Sequence, residues 1–112
     1  MKKVIIELSE RQLNTLVYCF TYSNKFYPTT REQKVLKSIL EKVSLRVMKK
    51  HLEVKAIVNT LFTKKKKSKF TFEYHEAHCI EQYLIIIEDN PFNEYDRNAI
   101  LFIKNKLNQQ LA

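Results

Sequence analysis

The chain has 112 residues, of which 45% are hydrophobic and 29% charged, and its formal net charge is +8. This length and composition are typical of one globular domain with its own hydrophobic core. The sequence contains no glycine. Phosphate-binding loops and the nucleophile elbow of serine hydrolases both require glycine, so these two kinds of site are excluded.

The first elements are a strand and a capped helix. Apolar residues alternate over residues 3–8, which predicts a strand. Ser9 and Gln12 then form a capping-box pattern, and a helix is expected from there to about residue 23. The apolar face of this helix comprises Leu13, Leu16, Val17 and Phe20.

A long helix is predicted over residues 31–62, with Thr29 or Thr30 as its cap. Apolar residues recur at helical spacing from Leu36 to Leu61, and Lys50 interrupts the stripe. An alternative breaks the helix near residues 49–51 and makes residues 54–62 a separate helix or a strand, since their content of β-branched side chains is high.

The second half repeats this order. A strand is expected at residues 69–75 and a helix at residues 76–88, and Asn93 with Asp96 caps a last helix. The predicted core faces of these helices comprise Ile80, Tyr83, Leu84, Ile87, Ile100, Ile103, Leu107 and Leu111. Without glycine, Asn24, Asn90 or Asn105 are the candidates for left-handed residues at helix ends.

The predicted fold is one α+β, predominantly helical domain spanning residues 1–112. It is expected to be a pseudo-duplicated β-α-α/β-α-α chain with a small two-stranded sheet covered by helices. The loose repeat units are residues 4–53 and 70–112, and residues 54–69 form a basic connector. Any two amphipathic strand–helix–helix runs would align about as well, so true duplication and chance similarity both stay open.

The order of elements, with strands at Val4 and Phe70 each followed by two helices, resembles that of a ribbon-helix-helix DNA-binding dimer fused into one chain. The resemblance concerns element order. The units here are longer, and their outward strand positions include Glu7 and Glu73, which DNA phosphates would repel. It therefore assigns no functional residue.

Positive charge is concentrated in the middle of the chain. Residues 31–69 contain thirteen basic and three acidic side chains, whereas residues 70–112 contain three basic and seven acidic ones. This distribution predicts a polyanion-binding surface, although a solvated loop of a lysine-rich protein would have the same composition. The candidate residues are Lys42, Arg46, Lys49, Lys50, Lys64, Lys65, Lys66, Lys67 and Lys69.

A second candidate surface is aromatic. Tyrosine offers a large amphipathic contact area, which protein interfaces favour, and its ring can also stack on single-stranded bases. A central helix with two core faces would produce the same pattern. The candidate interface residues are Tyr18, Cys19, Tyr22, Phe26 and Tyr27.

No cofactor or metal site is expected. His75 and His78 lie one helical turn apart, but a third ligand would have to be Cys79 or the distant His51. Two cysteines are too few for a disulfide scaffold, which favours a cytoplasmic protein with free thiols, and no segment is long and apolar enough to span a membrane.

The sequence therefore favours a non-enzymatic protein-interaction module, such as an accessory subunit, adaptor or inhibitor. Its expected partner is a protein or the acidic surface of a larger complex, and a homodimer is compatible with the pattern. The alternative is a direct DNA- or RNA-binding protein that uses residues 31–69.

Overall fold

The structure, a computed structural model, describes residues 3–21, 27–60 and 67–112; for residues 54–60 it describes the backbone. It is predominantly helical with one small antiparallel sheet. The elements in chain order are β1 (Val4–Leu8), α1 (Glu10–Thr21), α2 (Arg31–Thr60), β2 (Ser68–Phe72), α3 (Tyr74–Ile87) and α4 (Glu94–Leu111).

The strands β1 and β2 pair antiparallel, with Val4 opposite Phe72 and Leu8 opposite Ser68. Each strand alternates buried and exposed residues. Because side chains point to opposite faces at successive positions, one face of the sheet lies against the helices and the other faces solvent. The solvent face carries Ile5, Glu7, Lys69 and Thr71.

A single hydrophobic core lies between the inner face of the sheet and the four helices. Its centre contains the stacked rings of Phe20 and Tyr83, whose centroids are 6.3 Å apart. Burial of such large side chains contributes much of the hydrophobic stabilisation of the fold. The largest fully buried side chains are Tyr83, Phe20, Phe72, Leu8, Leu13, Leu16, Leu40, Ile80, Leu84, Ile103, Leu107 and Val4.

The predicted caps of α1, α2 and α4 are confirmed. At α1, the backbone amide of Gln12 donates to Ser9 Oγ, and the backbone amide of Ser9 donates to Gln12 Oε1. Together these two bonds form a complete capping box. At α2, Thr30 Oγ1 accepts from the Gln33 amide. At α4, Asn93 Oδ1 accepts from the Asp96 amide. Each bond satisfies a backbone donor that the first helical turn leaves without an intrahelical partner.

The predicted boundary between β2 and α3 was wrong. The strand ends at Phe72 and the helix begins at Tyr74, two residues before the expected start at Glu76. The physical reason is the capping box of Glu73 and Glu76, whose side chains accept from each other's backbone amides. Glu73 is therefore the cap of α3 and not an outward-facing strand residue.

The helix α2 is continuous through residues 49–51, so the alternative with a break there was wrong. Its thirty residues make it about 45 Å long. Residues 54–60, expected in the connector, belong to this helix. The core side chains of its first part are Leu36, Leu40, Val43 and Val47.

At the helix ends that the structure describes, no asparagine adopts a left-handed conformation. Among the described residues none has a positive φ, which contradicts this role for Asn90 and Asn105; Asn24 lies outside the described residues. Other donors serve the last carbonyls. The Tyr83 hydroxyl donates to the Cys19 carbonyl at the end of α1 (2.7 Å), and the Asn90 amide donates to the Ile87 carbonyl at the end of α3 (3.0 Å).

Candidate protein-interaction surface

The outer face of α2 carries a continuous exposed stripe, opposite the core residues Leu36, Val43 and Val47. Its members follow one another in steps of three or four residues, so they lie on one side of the helix. They extend over about 32 Å of helix length. We call this surface the α2 stripe, and it comprises Arg31, Lys34, Ser38, Lys42, Leu45, Lys49 and Leu52.

Two leucines lie in the middle of the α2 stripe. The exposed fraction is 69% for Leu45 and 67% for Leu52. They are seven residues apart, and Lys42 and Lys49 alternate with them. Sequence reasoning missed these leucines, although their spacing relative to Val43 and Val47 already places them on the opposite side of the helix. The α2 stripe therefore combines basic and apolar side chains on one surface.

The structure places part of the predicted polyanion-binding set on the surface. Lys42, Lys49 and Lys50 are exposed on α2, whereas Lys67 and Lys69 are exposed at the start of β2. Lys42 and Lys49 lie together in the α2 stripe. Three members of the predicted set, Lys64, Lys65 and Lys66, lie outside the described residues.

Arg46 is engaged within the fold. Its Nη2 lies 2.9 Å from Glu76 Oε1, and its guanidinium carbon lies 5.4 Å from the centroid of the Phe72 ring. These contacts join α2 to the start of α3 and to β2. Its charge is thereby partly neutralised, so Arg46 contributes less to polyanion attraction than the lysines of the α2 stripe.

The ion pair also changes the titration of Glu76. Desolvation by burial raises the pKa of this carboxyl, but the hydrogen bond from the Glu73 amide and the charge of Arg46 lower it more, so the pKa lies below its ordinary value. A carboxyl whose pKa is lower in the folded protein stabilises the fold above its unfolded pKa. That stabilisation is lost as the pH falls through the folded pKa.

We therefore expect Glu76→Gln to lower the free energy of unfolding at pH 7 by about 1 kcal/mol, because a neutral amide accepts weakly from Arg46. The difference between wild type and variant should shrink as the pH falls below about 4.3, the ordinary pKa of glutamate. Urea unfolding between pH 7 and pH 3 measures this. Glu53→Gln, at an exposed position of α2, is the matched control, and a constant difference across this range would contradict the explanation.

The described members of the predicted aromatic interface differ in their exposure to solvent. Tyr27 is 80% exposed, and Tyr18 is about half exposed with its ring edge-on to Phe92 at 6.2 Å. Cys19 is fully buried, so its side chain belongs to the core and its place on an exposed face was wrong. Tyr22 and Phe26 lie outside the described residues.

Neither cysteine is placed as a reactive or metal-binding thiol. Burial, together with the charge of Asp96, raises the pKa of Cys19 to about 12, and burial followed by the charge of Glu76 raises the pKa of Cys79. His75 and His78 are exposed on α3, whereas His51 is buried on α2, with its Nε2 2.5 Å from Asn14 Oδ1. Within the described ranges, no three His, Cys, Asp or Glu side chains come together as metal ligands would.

Comparison of the chain with known protein families, with curated proteins and with solved structures gave no match. The resemblance to a ribbon-helix-helix dimer therefore stays one of element order. In the part of the chain that the structure describes, every helix is too short or too polar to cross a lipid bilayer.

Proposed function

We propose that the protein is a non-enzymatic interaction module whose α2 stripe binds an acidic, partly apolar surface of a protein partner. The observation that supports this most directly is the exposure of Leu45 and Leu52 between lysines. Nucleic-acid phosphates attract lysine side chains but gain little from leucine. A protein partner uses both, because it can cover the leucines with apolar side chains and place carboxylates beside the lysines.

The spacing favours a helical partner. Steps of three and four residues alternate along the middle of the α2 stripe, from Lys42 to Leu45, Lys49 and Leu52. This is the spacing of the contact seam between two packed helices. An amphipathic helix lying along α2 would bury both leucines in one seam. Acidic residues on either side of its apolar positions would complement the lysines and would steer the encounter.

The second candidate function is direct binding of DNA or RNA through residues 31–69. It is favoured by the net charge of +10 in that segment and by the exposure of Lys42, Lys49, Lys67 and Lys69. About six phosphate contacts would make affinity fall steeply with salt, with a slope near −5 on logarithmic axes. Binding would then depend on the lysines and would be indifferent to the leucines.

Two matched double variants separate these functions. Leu45→Gln with Leu52→Gln removes the apolar part of the stripe, and Lys42→Gln with Lys49→Gln removes charge. Leu101→Gln, at an exposed leucine on α4, is the control for loss of an apolar surface side chain elsewhere. Circular dichroism of each variant reports whether the fold is retained.

Capture of proteins from a nuclease-treated lysate and binding of labelled duplex and single strands at about 50 mM salt are then measured. If the α2 stripe binds protein, both double variants lose the captured partner and Leu101→Gln retains it. Partner capture by the leucine variant at the wild-type level would overturn the proposal. If the wild type instead binds nucleic acid and only the lysine variant loses that binding, the second function replaces the first.

Two further points complete the proposal. The cytoplasm is the proposed compartment, supported by the free thiols of Cys19 and Cys79.

Descent of the two strand–helix–helix units from one ancestral unit is likewise proposed, supported by the repeated element order. The helix α2 is longer than its counterpart α4, so the units would have diverged most in the element that carries the proposed binding surface.

A further inference from the structure

The outer edge of β1 is closed by a side chain. The Ile5 amide donates to Gln110 Oε1 at 2.8 Å, and Gln110 Nε2 donates to the Ile5 carbonyl at 2.6 Å. The primary amide thus occupies the place that a residue of a neighbouring strand would take. A strand edge blocked in this way cannot accept another strand at Ile5.

This contact also fixes the direction of the backbone groups in β2. Pairs in an antiparallel ladder alternate between residues that bond each other and residues that do not. Ile5 lies opposite Thr71 but bonds Gln110, so Ile5 and Thr71 are a non-bonded pair. The amide and carbonyl of Thr71, and by the same alternation those of Lys69, therefore point away from β1.

The outer edge of β2 is thus different from that of β1. Lys69 and Thr71 are exposed, and no backbone or side-chain hydrogen bond to this edge is found from the residues that the structure describes. Unpaired backbone groups on an exposed strand are a template for pairing with another strand. The N-terminal part of this edge is basic, with Lys67 and Lys69, and it is followed by the acidic cap residue Glu73.

We propose that the β2 edge pairs antiparallel with the β2 edge of a second copy of this chain. In this register Lys69 lies opposite Thr71 of the second copy, and Thr71 lies opposite its Lys69. The two-fold axis then passes at Phe70. Such a contact is isologous, because the same surface is used on both copies. The two sheets join into one sheet of four strands.

Charge complementarity selects a second copy as the occupant. Antiparallel self-pairing brings the basic beginning of one β2 beside the acidic end of the other, with Lys67 opposite Glu73. The Glu73 carboxylate is 3.7 Å from the Lys3 ammonium, but its side chain remains 47% exposed and can accept a second cation. Lys67 and Glu73 flank β2 on either side, and oppositely charged side chains at these flanking positions attract each other across the contact.

The two edges together determine the size of the assembly. After β2 has paired, the outer strands of the joined sheet are the two copies of β1, and each has Gln110 bonded to Ile5 in the middle of its outer edge. Because this contact blocks pairing at Ile5, the assembly is expected to stop at two copies. The dimer uses a surface other than the α2 stripe, so it and the proposed function can fail independently.

Sedimentation velocity of the full chain, from micromolar to several hundred micromolar, tests the dimer. Thr71→Pro removes the outward amide without removing a bond of the β1–β2 ladder, since proline is tolerated where the amide faces away from a neighbouring strand. Thr71→Val is the matched control and retains the amide. Wild type and Thr71→Val should dimerise, and Thr71→Pro should raise the dimer dissociation constant at least tenfold.

A second variant avoids the backbone change. Lys67→Glu places two carboxylates opposite each other on both sides of the axis, so it should also weaken the dimer, while Lys34→Glu changes the charge equally on α2 and should not. Amide exchange at Thr71 should slow as the protein concentration rises. A wild type that stays monomeric, or a Thr71→Pro variant that folds and dimerises as the wild type does, would overturn the proposal.

Discussion

Replacing Tyr83 by alanine is expected to lower the free energy of unfolding by about 3–5 kcal/mol, the usual cost of truncating a fully buried aromatic residue. Its side chain is fully buried, and its ring stacks on Phe20. Its hydroxyl donates to the Cys19 carbonyl in the last turn of α1, where helix carbonyls generally need a donor from outside the helix. The residue thus fills the core and closes a helix end that has no glycine.

Tyr83→Phe separates these two roles. It retains the ring and leaves the buried Cys19 carbonyl without this donor, so a loss of about 1–3 kcal/mol is expected. Tyr74→Phe is a close control, because the Tyr74 hydroxyl donates to the Leu111 carbonyl at 2.8 Å, also at a helix end but in an exposed position. That change should cost less than about 0.5 kcal/mol. Urea unfolding of the three variants measures the differences, and equal losses for both phenylalanine variants would contradict the role of burial.

Replacing Glu81 by methionine is expected to raise the free energy of unfolding by about 1–3 kcal/mol, which is an unusual direction for a buried residue. Only 8% of Glu81 is exposed, and its Oε2 is buried without a hydrogen-bond partner among the described residues. A buried carboxylate oxygen that lacks a donor destabilises the folded state. Methionine has a similar length, favours helix and can fill the same space without a polar atom.

Urea unfolding at pH 7 compares Glu81→Met with Glu41→Met, which makes the same exchange at an exposed position of α2. The control should change stability by less than about 0.5 kcal/mol. A loss of stability in Glu81→Met would mean that the carboxylate makes a favourable interaction in the folded protein. The expected increase in the free energy of unfolding would instead show that glutamate at position 81 makes the folded protein less stable than methionine does.

The elements that could be predicted from the sequence are those determined by local patterns. Alternation over residues 3–8 predicts β1, and the Ser9–Gln12 and Asn93–Asp96 pairs predict helix starts, because each capping contact spans only three residues. The spacing of apolar residues predicts the core faces of α1, α3 and α4 for the same reason. Even the error at the start of α3 was local, since Glu73 and Glu76 form a capping pair of the less common acidic kind.

The remaining features depend on how elements pack. Cys19 was placed on an exposed face because it adjoins Tyr18, but α1 packs against α2 and α4, and Cys19 is fully buried in the assembled core. The burial of Glu81 likewise depends on how α3 packs against the other elements. The spacing of Leu45 and Leu52 places them opposite the core face of α2, but their exposure also requires that no other element covers that side, which no pattern within the helix specifies. The sequence therefore predicted the basic character of the candidate binding surface, but it did not predict the exposed leucines.

The contact between Gln110 and Ile5 has a consequence for the folding pathway. The two residues are 105 positions apart, so this bond closes almost the longest loop that the chain can form. Contacts of such long range are acquired late, because their entropic cost comes before their stabilisation. Until α4 reaches β1, the edge of a nascent sheet at Ile5 lacks the Gln110 contact and is open to another strand. The rate at which the ends of the chain meet therefore controls how long a folding molecule is exposed to pairing with the wrong neighbour.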